Sequence, residues 1–306
     1  MTDKDTSVFR QPGWVAVFAL IAAVAWGWAY PLIKLGFAEF HIATHMTGSK
    51  MLFAGIRFFL SGLIILAISR CTHRSFAVTS PSGWAFVLAF ALVNTTLHYA
   101  FFYFGLSHSE GARAAILNSL SVFSVVILAC LFFKSDRLTL PKILGCVTGF
   151  AGILALNLGG NVGGSFSWLG DGLIIANALC GASASLMTRR LSKIVDVTVG
   201  TGYSLAIGGL LLVLPGMAMG GSLPVVTAAG VTILLLLTAI STIGFALYNK
   251  LLSCNPIGRV AIYNSLIPVV GAVTSCLCLG EPFYWKYVLA GSLAATGIYI
   301  INRDKR

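Results

Sequence analysis

Between Val197 and Asn249 the chain runs for 53 residues without one charged side chain. Further charge-free runs cover Trp14–Ile33, Ala114–Phe133, Ile143–Gly170 and Val260–Gly280. A helix that crosses a bilayer needs about 20 mostly apolar residues, so each run is long enough and the longest holds two crossings. In hydrocarbon every backbone polar group must be satisfied within the protein, which leaves helices and closed barrels as the spanning forms. A barrel is written as short alternating segments, and none are visible. The chain is therefore expected to be an all-α polytopic membrane protein. Its residues are 58% hydrophobic and only 9% charged, against roughly 25% charged in soluble domains.

Charges, prolines and glycines divide the chain into ten expected transmembrane helices. The first five cover residues 14–34, 50–69, 83–106, 111–133 and 140–159. The second five cover 168–190, 197–217, 225–251, 257–279 and 285–302. With both termini cytoplasmic, 15 lysines and arginines lie inside and 4 outside, Arg57 being set aside within the second span. That bias is what the positive-inside rule demands of a protein in the cell's inner membrane. The basic gaps also account for the net charge of +11, so lipid and not nucleic acid is the expected macromolecular surroundings. The polar N-terminal MTDKDTSVFRQPG is short, and the apolar run after it reads as the first span, not as a removed signal peptide.

One stretch is written twice. Residues 110–120 read EGARAAILNSL and residues 256–266 read PIGRVAIYNSL, a fixed offset of 146 residues. More weakly, residues 20–35 align with 174–189, bringing Gly27 over Gly181. Two homologous halves follow: 14–159 and 168–302, joined by the linker 160–167, with cytoplasmic tails 1–13 and 303–306. Each half has five spans, an odd number, so the second enters the membrane inverted. Inverted repeats of this kind place a solute site near the midplane, where the halves meet and access alternates.

The chain resembles an EamA-type member of the drug/metabolite transporter superfamily. The residues that carry the likeness are Trp26-Gly27, Arg57 within the second span, and the arginines Arg113 and Arg259 that open spans four and nine. Pro268, Gly280-Glu281-Pro282, Gly291 and Gly297-Ile298-Tyr299 complete it in the second half. In the first half Val122 stands where a proline would match Pro268, and Ser135-Asp136 where a glutamate would match Glu281. The resemblance implies gradient-driven export or exchange of small metabolites. It agrees with the absence of a GxxxxGK[ST] phosphate loop.

Polar residues inside spans are the candidate site. Asn118 and Asn264 come first, since an amide in hydrocarbon must face protein or a wet cavity. They either line a cavity or bond helices together. Asn94 and His98, four apart, share a helix face. His98 is the candidate carrier of a coupled proton, because its charge changes near neutral pH; substrate contact and packing are the alternatives. Trp28 and Tyr30 suit either a cavity for amphipathic solutes or the interfacial aromatic belt. Pro31 beside them should kink span one or end its regular bonding. Tyr263 adjoins Asn264. Asn177, Gly181 and Ser185 form one stripe on span six, and Tyr248 faces inward from span eight. Arg113, Arg259 and Glu281 are gate or anchor candidates, the arginines lying at helix N-termini where the dipole disfavours a cation. Arg57 reads as snorkelling or pairing with a helix C-terminal carbonyl, a structural role ahead of substrate binding. Gly145, Gly149 and Gly152 allow close packing, within the chain or against a second copy in a homodimer.

The seven cysteines show no framework spacing, and neither a metal nor a cofactor is implied. An intramembrane enzyme would need catalytic pairs within spans, and neither HExxH nor GxSxG occurs. Phosphorylated sugars would call for midplane lysines and arginines, where spans four and nine offer asparagine, serine and tyrosine. Amino acids or similar small amphipathic metabolites are the favoured substrates, with organic cations as the alternative.

Overall fold

A computed structural model of the chain describes residues 8–132, 139–157, 166–255, 260 and 262–303. Among these residues every regular element is a helix. The first part of the chain builds α1 (Pro12–Glu39), α2 (Thr47–Cys71), α3 (Pro81–Ala91) and α4 (His98–Ser107). It goes on to α5 (Gly111–Asn118), α6 (Leu120–Phe132) and α7 (Leu140–Asn157). The second part builds α8 (Leu173–Leu191), α9 (Val197–Ala218), α10 (Ala228–Cys254), α11 (Leu266–Leu279) and α12 (Trp285–Arg303). A π-helical segment, Leu92–Leu97, joins α3 to α4, so these three pieces form one continuous span. Among the described residues six helical segments are long and apolar enough to cross a membrane: Pro12–Glu39, Thr47–Cys71, Pro81–Ser107, Trp168–Leu191, Val197–Ala218 and Ala228–Cys254. Shorter apolar helices accompany them.

Local sequence explains the helix starts. Ser80 accepts a hydrogen bond from the Gly83 amide at 3.0 Å, with Pro81 in the first helical position. Asp196 accepts from the Thr198 amide at 2.9 Å, and Thr227 from the Gly230 amide at 2.8 Å. Pro31 does not end α1, which runs on to Glu39. Proline is tolerated inside spanning helices because neighbouring groups can satisfy the freed carbonyl.

Large apolar side chains point outward all along the spans, among them Leu63, Leu88, Leu211, Leu235 and Val273. In water such a surface would drive association; against lipid tails it is the matched face. With no hydrophobic drive between helices, close packing of small residues holds the bundle together. α2 packs along α9 through glycine. A Cβ on Gly55 would lie 2.7 Å from the Gly209 carbonyl oxygen, and one on Gly62 would lie 2.3 Å from the Ala206 nitrogen. α7 packs along α12, where a Cβ on Gly297 would lie 2.3 Å from the Gly145 carbonyl oxygen. That glycine face of α7 is therefore occupied within the chain. α1 lies against α10 and α11, and α8 against α4 and α6. Between these pairs an aromatic core forms, with Phe53 against Phe37 and Phe40, Phe58 against Tyr99, and Tyr30 against Phe102.

Candidate functional site

Two spans expected to be continuous are interrupted, and both breaks fall on the repeated motif. α5 ends at Asn118. The Ser119 hydroxyl donates to the Ile116 carbonyl at 2.6 Å while its amide bonds the same carbonyl at 3.0 Å. α6 then begins afresh at Leu120. In the second copy Ile262–Ser265 forms a single 3₁₀ turn before α11. Serine competes for backbone partners in this way and loosens regular helix. Irregular backbone at membrane depth is tolerated where protein buries it or a cavity borders it.

A cavity borders both breaks. It offers about 120 Å³ to the centres of water-sized molecules, where a single water needs about 10–15 Å³. Its walls come from α1 (Trp26, Tyr30), α2 (Arg57), the π segment (Asn94) and α4 (His98, Tyr99, Phe102). Asn118, Ser121, Val125, Gly181, Ser185, Phe245, Tyr248 and Asn264 close it from the other side. The π segment supplies the extra residue that a helix carries at many functional sites, and it turns Asn94 inward. Asn94 donates to Ser204 at 3.0 Å, tying the wall to α9.

Hydrogen bonds organise the two asparagines alike. Asn118 donates its amide to the Tyr30 hydroxyl at 2.9 Å and accepts from Asn177 at 2.8 Å. Asn264 donates its amide to the Tyr248 hydroxyl at 2.8 Å. Several buried polar atoms of this neighbourhood have no partner among the described residues: Trp26 Nε1, His98 Nδ1, Asn177 Oδ1 and Asn264 Oδ1. Buried polar atoms are nearly always paired, so the site holds unused hydrogen-bonding capacity.

Arg57 has partners that sequence reasoning did not name. It does not snorkel, being 1% exposed. Its Nε donates to the Leu237 carbonyl at 3.0 Å and the Ser241 hydroxyl at 2.8 Å, at the middle of α10 and not at a helix C-terminus. Its Nη1 donates to the Tyr103 hydroxyl at 3.0 Å. The guanidinium thus sits at mid-bundle, in the cavity wall.

Polar ties cluster at the end of the bundle that carries the 40–46 turn. Arg113 and Asp171 form a buried two-point pair, both bonds 2.8 Å. Glu281 accepts from Lys34 at 2.8 Å and from the Gly111 amide at 3.0 Å. Tyr287 donates to Glu110. A carboxylate on the first amide of α5 complements the helix dipole, which offsets the cation at Arg113. Asp171 is a partner that sequence reading missed, because it lies 58 residues from Arg113.

At the opposite end, which carries the 72–80 turn, a second cleft of about 850 Å³ opens between α3, α6, α8 and α10. It continues the faces that line the cavity. Val125 of the cavity is one turn from Leu128 of the cleft on α6, and Ser185 is one turn from Arg189 on α8.

The remaining expected residues fall elsewhere. Trp28 is 42% exposed and outside the cavity. Two residues along a helix turn a side chain by about 200°, so Trp26 takes the inward position and Trp28 faces out. Asn177 is fully buried behind Asn118 and not in the wall. Tyr263 is half-buried and does not line the cavity; it packs against the apolar cluster that holds Val260, Leu251 and the cavity residues Val125 and Tyr248. Arg259 lies outside the described residues.

The sequence profile of the EamA-like transporter family matches the chain twice, over residues 13–158 and 168–303. The chain belongs to the EamA-like transporter family. As a member it is a multi-span membrane transporter. An uncharacterized transporter of Bacillus subtilis, YvbV, is 25% identical over 299 residues, covering 95% of this chain and 92% of that protein. A probable amino-acid metabolite efflux pump of Escherichia coli is 25% identical over 298 residues, covering 93% of each. A solved crystal structure shares the fold with a TM-score of 0.70 at 16% sequence identity, covering 96% of this chain and 99% of that one. The three ties at the 40–46 end all join one matched segment to the other: Arg113 to Asp171, Glu281 to Lys34 and Gly111, Tyr287 to Glu110.

Proposed function

We propose that this family member is a secondary transporter that moves small amphipathic metabolites, amino acids foremost, by alternating access through the central cavity. The observation that carries this reading is the cavity itself. It lies where both copies of the repeated motif break their helices, with Asn118 and Asn264 each held by a tyrosine and polar capacity left over. Broken helices at a repeat interface are a recurrent way to build a solute site. The relative named as an amino-acid metabolite efflux pump supports the substrate class.

In this reading residues 14–159 and 168–302 are two inverted five-helix repeats, ten spans in all, joined by the linker 160–167. Residues 1–13 and 303–306 are cytoplasmic tails in an inner membrane. The pairing of α2 with α9 and of α7 with α12 supports it, since each would then meet its own counterpart across the pseudo-twofold axis. The 40–46 end is the outer face, closed by Arg113–Asp171 and Lys34–Glu281. The cleft at the 72–80 end is the inner approach. One ion pair also links the matched segments at that end, Arg74–Asp196 at 3.2 Å, but neither residue lines the cleft. Opening outward requires the outer ties to part while the cleft narrows. Asn118, Asn264, Asn94 and Tyr248 are the substrate contacts, and His98 the carrier of a coupled proton.

Reconstitution into liposomes tests this. Uptake of labelled amino acids should depend on a pH gradient or on internal substrate, and should fall in Asn264→Ala at unchanged reconstituted yield. No uptake of any amino acid or amine, or uptake indifferent to Asn264→Ala, rejects the reading.

A further inference from the structure

Among the described residues the central cavity is lined by one fixed positive charge and no fixed negative charge. Among the described residues the carboxylates are Glu39, Glu110, Asp171, Asp196 and Glu281, and none of them lines the cavity. Arg57 does line it, at 1% exposure. Its partners are all neutral: the Leu237 carbonyl, the Ser241 hydroxyl, the Tyr103 hydroxyl and the Phe58 ring, whose centroid is 4.9 Å from Cζ. No carboxylate of the described residues lies within 4.0 Å of it. A guanidinium carries five N–H donors in a fork shaped for a carboxylate. Here Nε and Nη1 are engaged and Nη2 has no partner among the described residues. A buried ion without a counter-ion is strongly unfavourable, and this one is held in place by two helices other than its own.

The rest of the wall fits the same picture. Asn264 Oδ1 is a buried acceptor without a donor among the described residues, suited to an ammonium or amide hydrogen. Trp26 and Phe245, packed edge to face with centroids 5.4 Å apart, supply apolar wall for the rest of a solute. Organic cations find no carboxylate here, and a lone arginine is too little for a dianionic phosphate, which recruits clusters of cations.

We propose that Arg57 is the carboxylate-recognition residue of the cavity, and that the protein carries small carboxylates, α-amino acids among them, in preference to amines that lack an acid group. The inference rests on the transport reading above and narrows it. It explains why a charge stands at mid-bundle in α2: the substrate supplies the missing counter-ion. Because Arg57 also ties α2 to α10 and α4, its removal affects folding as well as binding, so the test begins with the unaltered protein.

Purified full-length protein is screened by thermal shift against matched sets: each proteinogenic amino acid, its decarboxylated amine, its α-carboxamide and its deaminated acid, with inorganic phosphate and glucose 6-phosphate alongside. Stabilisation by acids and amino acids, with amines and carboxamides silent, is the expected result. Equal stabilisation by an amine and its parent amino acid overturns the Arg57 assignment while leaving a small-solute transporter standing. Stabilisation by phosphates alone does the same. Silence from every compound overturns both readings. Two variants complete the test. Arg57→Lys keeps the charge and loses the fork, and Ser241→Ala keeps the fork and removes the shorter of its two ties to α10, leaving the Leu237 carbonyl. Each, if monodisperse, should bind the best carboxylate about 30-fold or more weakly and tenfold or more weakly respectively. If Arg57→Lys fails to fold, Ser241→Ala decides, and unchanged affinity there rejects the proposal.

Discussion

Asn264 donates its side-chain amide to the Tyr248 hydroxyl at 2.8 Å, leaving its carbonyl oxygen buried and without a partner among the described residues. The arrangement is half-finished on the protein side, as a site that awaits a donor should be. Asn264→Ala removes one modest hydrogen bond, about 1 kcal/mol of stability, but also an acceptor that the wall leaves open. Folded yield should stay near that of the unaltered protein while transport falls at least tenfold. Size-exclusion profiles alongside liposome uptake separate the two effects. Collapse of the folded fraction would make Asn264 a packing residue.

Arg113 and Asp171 meet in a two-point pair at 2.8 Å with both side chains nearly inaccessible. Breaking a buried pair by removing one partner destabilises by about 3–5 kcal/mol, whereas replacing both with apolar residues is often neutral. Asp171→Asn should therefore lower the unfolding temperature markedly, and Arg113→Met with Asp171→Leu should recover most of it. If the pair is also part of the outer closure, the double variant should let a polar thiol reagent applied from outside reach a cysteine at Ser121→Cys faster, with native cysteines replaced. Recovery of stability with no change in labelling would leave the pair a structural tie and nothing more.

How much of this was legible in the sequence depends on which solvent each residue faces. The long spans were, because the absence of charge over 20 or more residues admits few other structures. The choice between Trp26 and Trp28 was not: both are apolar, lipid and protein interior are equally apolar, and a helix hydrophobic all round shows no inward face. The helix breaks were hidden for a related reason. An Asn-Ser pair inside an apolar run is compatible with continuous helix until the Ser119 hydroxyl is seen taking the Ile116 carbonyl. Arg57 announced itself as a buried charge. Its partners did not, since Leu237 and Ser241 lie 180 and 184 residues away and a backbone carbonyl leaves no mark in a sequence.

His98 borders the cavity with Nδ1 buried and unpartnered. The other titratable side chains in the wall are Arg57 and the tyrosines Tyr30, Tyr99 and Tyr248. Among these side chains the imidazole is the type whose charge ordinarily changes near neutral pH. If transport is proton-coupled through this cavity, His98 is the group placed to carry the proton. His98→Gln keeps a polar side chain of similar reach and cannot titrate. Transport should persist at reduced rate and lose its dependence on pH over roughly pH 5 to 8. An unchanged pH profile in the variant removes His98 from that role.

Gly62 holds α2 against α9 with no room for a methyl group. A Cβ there would lie 2.3 Å from the Ala206 nitrogen and 2.7 Å from its Cα, both backbone atoms that cannot step aside. Gly291 on α12, by contrast, has nothing within 4 Å of the same construction. Overpacking a close contact costs about 1–3 kcal/mol, and at a backbone-to-backbone contact the whole helix must retreat. Gly62→Ala should lower the unfolding temperature and the yield of monodisperse protein. Gly291→Ala should leave both unchanged or slightly raised, since alanine favours helix over glycine by up to about 1 kcal/mol. Because Arg57 stands on α2 little more than one turn from Gly62, the retreat should also lengthen its bonds to α10. Carboxylate binding should weaken in Gly62→Ala and hold in Gly291→Ala. Isothermal titration with the best acid from the thermal screen reads this directly. Equal affinity in the two variants would show that the α2–α9 contact and the cavity are energetically independent.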